Sequence, residues 1–110
     1  MSSGTKLALF PCPYLRSEVE CTEEREQHIA ERHPDLLPQR RESMVMTLAD
    51  PDQVRRSARL GNARLFSRWY DHFGKHVVVV VVSQTGGRNW IATAYIARRV
   101  AEGETEWKRS

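Results

Sequence analysis

ARLFSRWYDHFGKHVVVVVVSQTGGRNWIATAYIA, residues 63–97, decides the fold. Residues 63–71 alternate in period two, with Ala63, Leu65, Ser67 and Trp69 on one side of a strand and Arg64, Phe66, Arg68 and Tyr70 on the other. Six valines follow, Val77 to Val82. A β-branched run that is apolar on both faces reads as a central strand covered on both sides, because an exposed run would invite aggregation. Phe73-Gly74-Lys75 and Gly86-Gly87 read as turns, and residues 90–97 as the last strand. Upstream, Val54 to Ala58 opens the same half, closed by a turn at Gly61-Asn62. Strands joined this closely form an antiparallel meander of roughly four strands.

The half before it reads as mainly helical. Leu7–Phe10 and Glu18–Cys21 fit a short hairpin or edge strands around Pro11 and Pro13. Thr22 reads as an N-cap, with Glu23 and Glu24 in the first turn where the helix dipole favours anions. That helix runs to about His33 and is stopped by Pro34. A second is expected from about Gln39 to Ala49, with Met44, Val45 and Leu48 on one face, and Asp50-Pro51-Asp52 closes it as a turn. Helices followed by a meander predict an α+β fold, N-terminal helices packed on a roughly four-stranded antiparallel sheet. The 110 residues suit one domain, 1–110, with a core over about 14–98. The polar tail, 101–110, is expected to fray unless Trp107 ties it down.

Composition is that of a globular protein, 40% hydrophobic and 28% charged. No stretch is long and apolar enough for a signal peptide or membrane span, so a cytoplasmic protein with no membrane partner is expected. Cys12 and Cys21 are then expected as reduced thiols. The net charge of +3 is uneven: residues 1–50 carry six Lys/Arg against nine Asp/Glu, residues 51–76 six against two, and residues 77–110 five against three. A basic sheet beside an acidic helical layer points to a polyanionic partner.

The chemistry concentrates in HIAERHPDLLP, residues 28–38. With His28 at zero degrees and ~100° per residue, Arg32 falls near 40°, Leu36 near 80°, Ile29 near 100° and His33 near 140°. The two histidines therefore flank a short apolar stripe, at the edge of any helix–sheet interface it makes. Imidazole exchanges protons near neutral pH and guanidinium clamps phosphate, a set suited to metal-free phosphodiester chemistry.

HIxxRHP after a T-E-E-R helix start, the D-P turn, the basic aromatic strand, the valine strand and the terminal W-I-x-T-A-Y strand together resemble one group of proteins. It is the small nuclease-like superfamily of barnase, EndoU, colicin ribonucleases and RelE-type toxins, as found in phage and polymorphic-toxin contexts; the resemblance covers roughly residues 14–98. It implies a helical part packed on a four-stranded antiparallel sheet and metal-independent cleavage of RNA, tRNA included. It also implies an inhibitor or immunity protein as partner. His28, Arg32, His33, Thr93 and Tyr95 would line the catalytic site, joined by Arg68 and Tyr70.

Metal-free RNA cleavage needs a base for the 2′-hydroxyl, an acid for the leaving oxygen and donors for the phosphate. His28 and His33 are the candidate base and acid. Arg32, i+4 from His28, would hold phosphate, as would Arg64 and Arg68. Thr93 and Tyr95 alternate onto one face of the last strand, where their hydroxyls can converge. Each has a plainer reading: His33 as a helix-end group, Tyr95 and Thr93 as ordinary strand residues, Arg64 and Arg68 as a solvated strand face. Trp69 and Trp90, among apolar neighbours, read as core rather than stacking platforms. No cofactor and no metal are called for, since Cys12, Cys21, His28 and His33 lack the tight cysteine pair of a structural zinc site. His72 and His76 straddle Gly74, and residues 84–89 lack the lysine of a phosphate loop. The alternative reading is a non-catalytic RNA-binding or protein-interaction module on the same fold, or a structural phage or host accessory protein.

Overall fold

A computed structural model describes residues 6–109. The fold is α+β. Among the described residues it has two helices, α1 (Glu23–Arg32) and α2 (Arg41–Ala49), and seven strands. These are β1 (Leu7–Cys12), β2 (Ser17–Thr22), β3 (Gln53–Ser57), β4 (Ala63–Tyr70), β5 (Lys75–Ser83), β6 (Asn89–Ala97) and β7 (Gly103–Lys108). They form one sheet in the order β1-β2-β6-β5-β4-β3-β7. The expected meander is its middle, β3 to β6, with the valine strand β5 at the centre.

The expectation of four purely antiparallel strands is corrected on three counts. The β1–β2 hairpin, which contains the expected strands Leu7–Phe10 and Glu18–Cys21, joins the same sheet. It does so through a parallel contact, Glu20 opposite Trp90, which makes the sheet mixed. And the chain after residue 100, expected to fray, forms β7 along β3, with Trp107 opposite Val54. The helices thus follow a strand hairpin rather than open the chain, and the folded body extends beyond 14–98 at both ends.

Alternation sorts the sheet into two faces. The inner one carries Phe10, Cys12, Val19, Cys21, Val54, Phe66, Val77, Val79, Val81, Ile91 and Ala94, packed with Ile29, Leu36, Leu37, Met44 and Leu48 of the helical layer. The outer face carries Ala63, Leu65, Ser67, Val78, Val80 and Val82, of which Val80 and Val82 are only half-buried. Among the described residues no helix lies over it, so the valine strand has a full cover on one side and a partial one on the other.

Part of the outer cover is the connection from β6 to β7. Residues 98–102 must cross β5, β4 and β3 to reach the far edge. They pass over the outer face, because Arg55, which shares that face with Leu65, donates from Nη1 to the carbonyls of Val100 (3.3 Å) and Ala101 (3.0 Å). Gly103 then lands so close to β3 that a Cβ there would stand 2.2 Å from the Arg56 carbonyl oxygen, which only glycine permits.

At one end the turn between β1 and β2 reaches across the inner face to β7. Tyr14, in the short helical turn between β1 and β2, donates from its hydroxyl to Glu106 of β7 at 3.0 Å. Arg56 and Arg64 hold the same carboxylate at 2.8 and 2.9 Å. Burial alone would raise the Glu106 carboxyl, but hydrogen bonds from Arg64 and Tyr14 and the charges of Arg64 and Arg56 bring it below its ordinary value. Folding therefore favours the ionised form, a stabilisation present above the unfolded glutamate range and lost as pH falls through the lower folded value. Urea midpoints measured between about pH 6 and pH 3 are expected to drop towards acid, and Glu106→Gln to flatten that limb. An unchanged acid limb in the variant would remove Glu106 from the clasp's energetics.

Candidate nucleic-acid interface

Thr22 caps α1 as its sequence position suggested, accepting the Arg25 N–H at 3.1 Å. Glu23, Glu24 and Glu26 occupy the first turn, and the helix ends at His33, whose N–H reaches the Ile29 carbonyl at 2.7 Å. Because β2 stops at Thr22 while β6 continues to Ala97, α1 takes the place beside β6 that a longer β2 would have filled. Ile29 is buried inward. The stripe Arg25, His28, Arg32 stays exposed.

β6 faces this helix with an unusual row. A bulge at Ala92 shifts the register, so that Trp90 pairs with Val82, Thr93 with Val80 and Tyr95 with Val78. Trp90, Thr93 and Tyr95 thus share the outer face, all half-buried. Trp90 joins Arg25, Thr22, Glu20 and Arg88 around a hollow of about 230 Å³. A second hollow continues it along the helix between Thr22, Glu24, Arg25 and His28. At the other end the His33 ring lies 6.1 Å from that of Tyr95. From Thr22 to His33 the helix rises ~16 Å, and Trp90 to Tyr95 spans about the same. The two rows therefore run side by side as a ledge, cations and imidazoles on the helix, aromatics and a hydroxyl on the strand.

Electrostatics sharpen the picture. Most arginines of the sheet are spent internally. Arg64 and Arg56 hold Glu106, while Arg68 donates to the Asp50 carbonyl (2.6 Å) and carboxylate (3.1 Å). Arg109 pairs with Asp50, and Arg41 with Glu26 at 2.8 Å. On the ledge, Arg88 reaches Glu20 at 3.0 Å while its guanidinium lies 5.8 Å from the Trp90 ring centre. Among the described residues, eight arginines make no such pair: Arg25 and Arg32 on α1 beside the ledge, Arg98 and Arg99 just past the end of β6, and Arg16, Arg40, Arg55 and Arg59 elsewhere. Four of these eight guanidiniums thus lie beside the aromatic row or follow its strand, with Glu20 and Glu24 as the carboxylates in the ledge's hollows. Burial pushes the Tyr95 phenol above its ordinary value and the nearby Cys21 thiol up to about 12, so neither is a ready nucleophile.

The residues singled out from sequence divide between two places. His28, Arg32, His33, Thr93 and Tyr95 lie along the ledge. Arg64, Arg68 and Tyr70 do not: they sit on the inner face, as the pairings Arg64 with Val81 and Arg68 with Val77 require. Tyr70 donates to the Ser43 carbonyl at 2.8 Å and stacks on Phe73, fastening α2 to β4. Trp69 and Trp90, expected in the core, are corrected to the outer face, Trp69 43% exposed and edge-on to His76. Arg25, Arg88, Arg98 and Arg99 were not singled out. Arg25 had a signal, its i,i+3 spacing from His28 on the same stripe.

No family model, curated protein or solved structure matches the chain. Function therefore rests on the site. Among the described residues no helix is long and apolar enough to cross a membrane.

Proposed function

We propose that this protein binds single-stranded RNA along the α1–β6 ledge. The observation that carries the reading is the coincidence of unpaired arginines with the Trp90–Thr93–Tyr95 row. Bases stack on aromatic faces while arginines track the backbone, the combination by which single strands are held. A duplex hides its base faces and would gain only the electrostatic part. Fluorescence anisotropy with a labelled oligouridine and the matching duplex tests it. Single strands are expected to bind more tightly, with a salt dependence that weakens by about 0.7 in log–log slope for each of Arg25, Arg32, Arg98 and Arg99 replaced by alanine. Equal binding of duplex, or a slope indifferent to all four, would sink the proposal.

Metal-independent cleavage of the bound RNA is the second reading, favoured by the contact of His33 with Tyr95. His28 and His33 would exchange protons, Arg32 would hold the phosphate, and Thr93 and Tyr95 would orient the ribose. A protein inhibitor of such an activity would cover the same ledge. Incubating RNA with the protein in EDTA, beside His28→Ala and His33→Ala, separates the two. Cleavage lost in either variant supports the nuclease, and intact RNA with retained binding supports the binder alone.

A further inference from the structure

The two edges of the sheet are defended very differently. β7 carries Glu104, Glu106 and Lys108 in six residues, the charges that keep an edge strand from recruiting another. β1, LALFPC, carries none. Leu7 and Leu9, opposite Thr22 and Glu20 on the outer face, are each 50% exposed.

Among the described residues, no strand pairs with the outer side of β1. The Lys6 carbonyl accepts the Glu23 N–H at 2.9 Å, which fixes the phase of the ladder. In an antiparallel pair, alternate residues turn both backbone groups toward the neighbour. Lys6, Ala8 and Phe10 therefore face β2, and Leu7, Leu9 and Pro11 point their backbone groups outward. Pro11 has no N–H to offer, so the free edge presents the paired donor and acceptor sets of Leu7 and Leu9 alone. Beside this edge runs a groove of about 640 Å³, walled by Leu7, Ala8, Ala30 and Leu37 together with the charged Lys6, Glu23, Glu26 and Arg41.

We propose that two copies of this chain join edge to edge through β1, antiparallel about a two-fold axis at Ala8. This register puts Leu7 of each copy opposite Leu9 of the other, so each such pair exchanges two backbone hydrogen bonds. It gathers four half-exposed leucines on one face and leaves both prolines outside the paired segment. The strand is uncharged and complementary to itself in side-chain size and donor pattern, and that is what selects a second copy as the occupant. The joined sheet brings the two ledges onto one continuous outer surface.

Sedimentation velocity over a range of concentrations tests the association, with Leu9→Lys as the disrupting variant. The wild type is expected to dimerise and Leu9→Lys to stay monomeric, with the thermal unfolding transition that the wild type shows when diluted to monomer. Ala8→Cys tests the register, because residues on the axis sit about 4.5 Å apart at a non-hydrogen-bonded pair and can oxidise to a disulfide. The native Cys12 and Cys21 are buried and serve as the internal control. A wild type that is monomeric throughout, a dimer indifferent to Leu9→Lys, or a dimer that Ala8→Cys fails to cross-link would each overturn the proposal.

Discussion

Phe66→Ala is expected to cost about 3–5 kcal/mol of stability. Phe66 is completely buried on the inner face of β4 between Val54 and Val79. The Tyr14 ring meets it edge-on at 5.8 Å between centres. The substitution removes buried apolar area and an aromatic pair, and the surrounding strands, locked by ladder bonds on both sides, cannot collapse into the space. Since a domain of this size has only about 5–15 kcal/mol in total, the loss lowers the melting temperature by roughly 12–30 °C. Leu60→Ala, at a position 54% exposed in the β3–β4 turn, should change it little. Comparable shifts for the two would mean that the core does not close around Phe66.

The second large effect falls on binding. Replacing both Trp90 and Tyr95 by alanine is expected to remove about 2–6 kcal/mol of single-strand affinity, since each stacked base contributes about 1–3. The two rings stand ~16 Å apart along β6, far enough for their losses to add. Both are half-buried on the outer face, so the fold should survive, and thermal unfolding of the double variant controls for that. Anisotropy should show each single variant weakened by about 5- to 150-fold and the salt slope unchanged, because the arginines still meet the phosphates. A double variant that binds like the wild type would leave the ledge without its stacking role.

These expectations also mark how far the sequence can be read. Period-two alternation and the valine run located β4, β5 and β6 because a central strand writes its burial into every residue. Thr22 located the start of α1 because a cap is a local bond. β7 was missed for the opposite reason: Glu104, Thr105 and Lys108 lie exposed at an edge, where a strand needs ladder bonds but no apolar pattern. The parallel contact of β2 with β6 joins positions seventy residues apart, Glu20 and Trp90, and has no local signature. In the site, alternation rightly separated Arg64 and Arg68 from Leu65 and Ser67. Which side the helices would choose was not written there, and they chose the side of the arginines. Apolar neighbours point Trp90 to the core, but the bulge at Ala92 carries it to the outer face beside Thr93 and Tyr95, where strict alternation would set Ile91.

The clasp from Tyr14 to Glu106 also determines how the protein bears a load. Among the described residues the first and last strands are the two margins of the sheet, so tension applied between those strands pulls at β1 and β7 while the valine strand lies in the middle. Edge strands drawn from one end open their bonds one after another, whereas a central strand must be sheared free of two neighbours at once. Between the two margins stands one tyrosine hydroxyl, on a carboxylate that guanidiniums of β3 and β4 hold in place. The molecule is built to yield at its rim and keep its middle, as a buckle gives before the belt.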